Sequence, residues 1–223
     1  DTGSLRDLSL LLASNNELES VDLSANTRLQ QVKLGSNRIT EFPPFGAEYL
    51  SWLKLDNNGL TSISLEGYPY LYWLELGNNS LSAIDVTKNT NLQWLAAEDN
   101  RLGSLDITRN AGLQGLSVQG NLLDKQQIDG VISALPDVSG VEINYNNKAF
   151  ARKLNISNMP GTSSADVASA LAKGWEVTAD VADGIRPAGV RPEVSADAYD
   201  LRGMKVGDDY KGVVVSNGKK VVR

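Results

Sequence analysis

Residues 50–60 read LSWLKLDNNGL, residues 71–81 read LYWLELGNNSL, and residues 92–102 read LQWLAAEDNRL. Successive copies are offset by 21 residues, and Leu8, Leu29 and Leu113 extend the same register outward in both directions. Within the unit, Leu53, Leu55, Asn58, Leu60, Ile63 and Leu65 return as Leu74, Leu76, Asn79, Leu81, Ile84 and Val86. They return again as Leu95, Ala97, Asn100, Leu102, Leu105 and Ile107. A fixed period of this length marks a repeat array in which each unit buries its apolar side against the next. Leu53 and Leu55 stand two apart, so both point to one side of an extended segment while Trp52, Lys54 and Asp56 point to the other. The coil must turn sharply after that segment, leaving backbone groups that no strand satisfies. The Asn column at 16, 37, 58, 79, 100 and 121 is placed to bond them, because an amide both donates and accepts.

The pattern L-x-x-L-x-L-x-x-N-x-L resembles the leucine-rich repeat, with six consecutive units. The resemblance implies an α/β repeat solenoid: a right-handed coil with a parallel sheet on its concave side and little convex helix. A unit of 21 residues leaves little room for a full helix on the convex side, where short extended or turn segments are expected.

The period breaks after Leu123. Ile128, Val131, Ile132 and Leu135 lie at i, i+3, i+4 and i+7, which predicts an amphipathic helix stopped by Pro136. Val138, Val141, Ile143 and Asn146 then read as a longer seventh unit, and Leu154, Ile156 and Asn158 as a last coil. Ala165 to Lys173 reads as a capping helix ended by Gly174. At the other end, Leu10 and Leu12 fall at outward-facing positions. Either the first coil is irregular, or something covers it.

The stretch ADGIRPAGVRPEV at 182–194 has two Arg-Pro pairs and no coil period, and reads as an extended linker. Beyond it, Val213–Ser216 and Lys219–Val222 flank Asn217-Gly218, the signature of a tight β-hairpin. The expected organisation is thus a solenoid with its helical cap over 1–181, a linker over 182–194, and a C-terminal β-hairpin appendage over 195–223. The segments YDLRGMKV at 199–206 and KGVVVSNGKKVVR at 211–223 resemble the type IX secretion sorting tails of exported Bacteroidetes proteins, and ALAKGW at 170–175 is similar to the leucine-rich-repeat proteins of that phylum. That resemblance implies an exported protein, at the cell surface or extracellular. A structural brace is the alternative reading of the hairpin.

Composition narrows the function. The 223 residues carry 21 Lys+Arg against 27 Asp+Glu, a formal charge of −6, and contain neither Cys nor His. Thiol nucleophiles, imidazole bases and most zinc or iron sites are therefore absent. No apolar run is long enough to span a membrane, and no basic stripe suits nucleic acid. Asp208, Asp209 and the Asp180–Asp183 region lack a calcium-loop pattern. The sequence implies no enzyme, no cofactor and no metal.

The candidate site is the concave side. Trp52, Trp73 and Trp94 form one column, expected to stand about 4.8 Å apart across neighbouring strands with their rings exposed. Lys54, Asp56, Glu75 and Glu98 flank them, and Asn57, Asn78 and Asp99 lie nearer the turn. A protein or peptide ligand would anchor on the rings and use the charged residues as a polar rim. A glycan, stacked on the rings and bonded by the amides and Asp99, is the alternative. A third reading is a passive spacer in a cell-surface assembly, with the rings merely stacking on one another. Self-association through the tail or the N-terminal coil is a further expectation.

Overall fold

The computed structural model describes residues 5–143, 148–162 and 165–180, together with the backbone of 190–191, 199–200, 213–216 and 219–222. Strands β1 (Leu10–Leu12), β2 (Gln31–Lys33), β3 (Trp52–Lys54), β4 (Trp73–Glu75), β5 (Trp94–Ala96) and β6 (Gly115–Ser117) each occur once per period. They pair in parallel and in sequence order, with Leu11, Val32, Leu53, Leu74, Leu95 and Leu116 in one row. The sheet continues through β7 (Lys153–Asn155), β8 (Glu176–Thr178) and β9 (Val190–Arg191). Each strand from β2 to β4 buries its central residue and keeps its neighbours half-buried, as a period of two requires. The inward leucines are sealed, with Leu53, Leu55, Leu74 and Leu76 at zero exposure. Each such burial contributes about 1.5–3 kcal/mol.

The asparagine column is a hydrogen-bonded spine. Asn79 donates through Nδ2 to the carbonyls of Leu55 (3.0 Å) and Leu76 (2.9 Å), and its Oδ1 accepts from the Leu60 amide at 3.0 Å. One side chain thus ties together two coils. Asn37, Asn58, Asn100 and Asn121 repeat the pattern. The residue before each ladder asparagine takes a positive φ: Asn15, Ser36, Asn57, Asn78, Asp99 and Gly120. Asn, Asp and Gly tolerate this left-handed conformation better than other residues.

On the convex side, Asp22, Asp85 and Asp106 close short turns by accepting from the amides of Ser24, Thr87 and Thr108, each at 2.9 Å. Side-chain and backbone hydrogen bonds from those residues hold the three carboxyls below their ordinary pKa. A second asparagine column, not singled out in the sequence, lies buried behind them. Asn89 donates to the Leu65 and Tyr68 carbonyls, and Asn110 to those of Val86 and Asn89. Where Tyr68 takes that position, its ring is fully buried against Phe45, and burial pushes its phenol up to about 12.

The irregular stretch corrects the sequence reading. The expected helix exists as α1 (Lys125–Ala134), capped by Asp124, which accepts from the Gln127 amide. Its buried side chains are Ile128, Val131 and Ile132. Val138 to Ile143, however, form no strand. Gly115 pairs instead with Lys153, 38 residues on, so Leu154 carries the seventh unit and Val138 packs as part of a long excursion. The expected cap is α2 (Val167–Ala172), but it does not end the sheet, since β8 and β9 follow. Lys173 folds back from the end of α2 and donates to the carbonyls of Ile132, Ser133 and Leu135, satisfying the C-terminus of α1.

Within the expected linker, Val190–Arg191 pair with β8; the rest of 182–194 lies outside the described residues. In the tail, β10 (Tyr199–Asp200), β11 (Val213–Ser216) and β12 (Lys219–Val222) form a separate antiparallel sheet. Ser216 pairs with Lys219 across the expected turn.

At the N-terminal edge, Leu10–Leu12 pair with Gln31–Lys33 in the repeat register, so this strand follows the template. Leu10 and Leu12 are 44% and 64% exposed.

Candidate functional site

Strand pairing brings the three tryptophans into one row, Trp52 opposite Trp73 and Trp73 opposite Trp94. Their ring centroids stand 4.7 Å and 5.8 Å apart, tilted by 32° and 44°. The rings lie on the concave side of the sheet, outside the leucine core. They are half-buried rather than exposed as the sequence predicted. Phe150 covers two of them. It reaches back from the irregular stretch and meets Trp73 edge-on at 4.7 Å and Trp94 at 5.7 Å. Gly115 makes this approach feasible, because a Cβ there would come within 2.3 Å of the Trp94 ring. Tyr72 covers the other end, edge-on to Trp52 at 6.5 Å, and the Lys33 ammonium stands 3.5 Å from the Trp52 ring centroid.

The predicted charged residues cluster beside the rings. The Lys54 ammonium donates to Glu75 and forms an ion pair with Asp56 at 2.8 Å. Burial pulls Lys54 down, but the bonds to Asp56 and Glu75 outweigh it and hold the ammonium above its ordinary pKa. Glu75 also accepts from the Trp73 indole Nε1 at 2.6 Å, fixing that ring in the ladder. Glu98 lies flat against Gly77, where a Cβ would meet its carboxylate at 2.5 Å. Burial, together with the charges of Asp99, Asp56 and Glu75, pushes the Glu98 carboxyl above its ordinary pKa. One of its oxygens, Oε2, is buried without a hydrogen-bond partner.

The three predicted turn residues have a backbone role of their own. Asn57, Asn78 and Asp99 hold positive φ values of 53°, 54° and 51°, and their side chains project at the exposed rim. Asn57 donates to Asp56 at 2.7 Å. Sequence reasoning missed Phe150, which lies outside the repeat, and Lys33, although its place 21 residues before Lys54 was a usable signal. It also missed Tyr49 and Tyr70, which stack at 5.5 Å and 17° on the exposed edge of adjacent coils. Among the described residues no group of three or more carboxylates is arranged to hold a metal ion, and no helix is long and apolar enough to cross a membrane.

The in-register parallel strands, the sealed leucine rows and the asparagine spine define a leucine-rich-repeat solenoid. Solved structures of the same architecture agree. The chain is similar to an internalin, InlF, of Listeria monocytogenes, at 24% identity over 83% of this chain and 50% of that one, with a TM-score of 0.67. A leucine-rich-repeat protein of Leptospira interrogans matches at 21% identity over 78% of this chain and 44% of that one, with a TM-score of 0.64. The functional domain of InlJ from Listeria monocytogenes, which includes a cysteine ladder, matches at 24% identity over 79% of this chain and 44% of that one, with a TM-score of 0.53. The chain spans half the length of these structures or less. No protein-family profile matches it, and no curated protein does.

Proposed function

We propose that this solenoid is an exported, non-enzymatic recognition module that holds a protein or peptide partner on its concave face. The observation that carries the reading is the aromatic row of Trp52, Trp73, Trp94 and Phe150, set on a rigid sheet beside a charged strip. Trp is enriched among residues that dominate binding energy, and a repeat sheet presents such groups with little conformational cost. Lys54, Asp56, Glu75 and Glu98 serve as the polar rim, with Asn57, Asn78 and Asp99 at its edge.

The spacer reading draws on the half-burial of the rings, and a glycan remains the alternative occupant. Trp73→Ala separates these readings. A binding face predicts loss of peptide capture by a variant that keeps its far-ultraviolet circular dichroism. Glycan retention lost in the same variant favours the sugar reading. A spacer predicts no binding phenotype at all. Export is tested by fusing residues 182–223 to a reporter in a host with type IX secretion; a reporter retained inside the cell removes the sorting role and leaves the brace.

A further inference from the structure

We propose that the occupant of the concave face is a basic peptide segment, with a lysine or arginine head placed against Trp73 and Trp94 and facing Glu98. This rests on the reading of the face as a peptide-binding surface. The argument is one of charge complementarity. Lys33 and Lys54 are successive members of one column, and Lys33 shows what a cation does here: its ammonium sits over the Trp52 ring at 3.5 Å. Such a contact is favourable because the face of an indole is electron-rich. The next two members of the column are Glu75 and Ala96; in the tryptophan row Lys153 follows Gly115, and its ammonium is taken up by Glu176. Lys54 is held by Asp56 and Glu75. Four carboxylates, Asp56, Glu75, Glu98 and Asp99, therefore share one ammonium in this strip. Glu98 keeps an oxygen that is buried and unbonded, and Glu75, which holds the Trp73 indole, is among its charged neighbours.

The test is selection of a random displayed peptide library against the full chain, with counter-selection against Trp73→Ala, or Trp73→Leu should the alanine variant not fold. The expected result is a set of Trp73-dependent peptides enriched in Lys and Arg. Their affinity should fall about ten-fold in Glu98→Gln, fall with added salt, and be lost on lysine acetylation or on replacing the arginines by citrulline. Trp73-dependent peptides that are neutral or acidic, or basic ones indifferent to Glu98→Gln, overturn the inference and leave the peptide-binding reading in place. A library yielding no Trp73-dependent peptide overturns both.

Discussion

The regular coils between Leu29 and Asn121 and the irregular unit from Leu122 to Met159 meet the same demands by different means. In the regular coils one asparagine serves four backbone groups across two coils. In the irregular unit Asn158 takes the left-handed turn position, with φ of 53°, and Met159 falls where the ladder asparagine would be. The carbonyl of Ile156, which an asparagine would otherwise bind, accepts from the Thr162 hydroxyl instead. The Trp row is similarly replaced, by Gly115 and by Phe150 arriving from outside the period. Repetition fixes a geometry that many coils share, whereas an insertion must find individual partners for the same orphaned groups.

Breaking the shared spine should have the largest effect. Asn79→Leu strands the Leu60 amide and the carbonyls of Leu55, Leu76 and Gly77, at about 1–3 kcal/mol for each buried group, so a loss of about 3 kcal/mol or more is expected in urea unfolding. The individual solution should be cheaper to lose. Thr162→Val removes one bond, and the same measurement should give about 1 kcal/mol. A loss matching that of Asn79→Leu would mean that the two regions are equally constrained.

Phe150→Leu keeps an apolar cover but forfeits the edge-on ring contacts, for about 0.5–1.5 kcal/mol. Iodide quenching of tryptophan fluorescence should rise with it; unchanged quenching would show that Phe150 does not shield the row. The smallest effect belongs to Glu98→Gln. A carboxyl whose folded pKa is raised stabilises the fold most when protonated, below its unfolded pKa, and that contribution is lost as pH rises through the folded value. The variant should therefore melt higher than the parent near pH 7, and the two curves should converge near pH 4. A gap that widens on acidification contradicts the assigned cause.

The fold was legible because its determinants repeat. The 21-residue register placed strands, inward leucines and ladder asparagines without any knowledge of tertiary contacts. The same register put Trp52, Trp73 and Trp94 on one face. It did not reveal their cover, because Phe150 belongs to a stretch with no neighbouring copy to compare. The seventh unit was misplaced for a related reason. Val138 and Val141 imitate the template's spacing, yet they pack on the core without forming a strand, and the strand forms only at Lys153–Asn155. Asn57, Asn78 and Asp99 illustrate the converse limit: a turn that needs positive φ selects the residue types that a ligand site would also use.

The spine also bears on how the molecule ages. Asn58 precedes Gly59, the pair in which a backbone nitrogen most readily attacks the preceding side-chain amide to release ammonia. Here the Gly59 N–H is engaged by the Ile39 carbonyl at 2.9 Å, and the Asn58 amide is held by the carbonyls of Leu34, Leu55 and Asp56. Attack requires both groups to be freed together, so deamidation at this pair should proceed at the pace of local coil opening. Deamidation of Asn58 itself, followed by peptide mapping on storage, would then serve as a clock for unstacking.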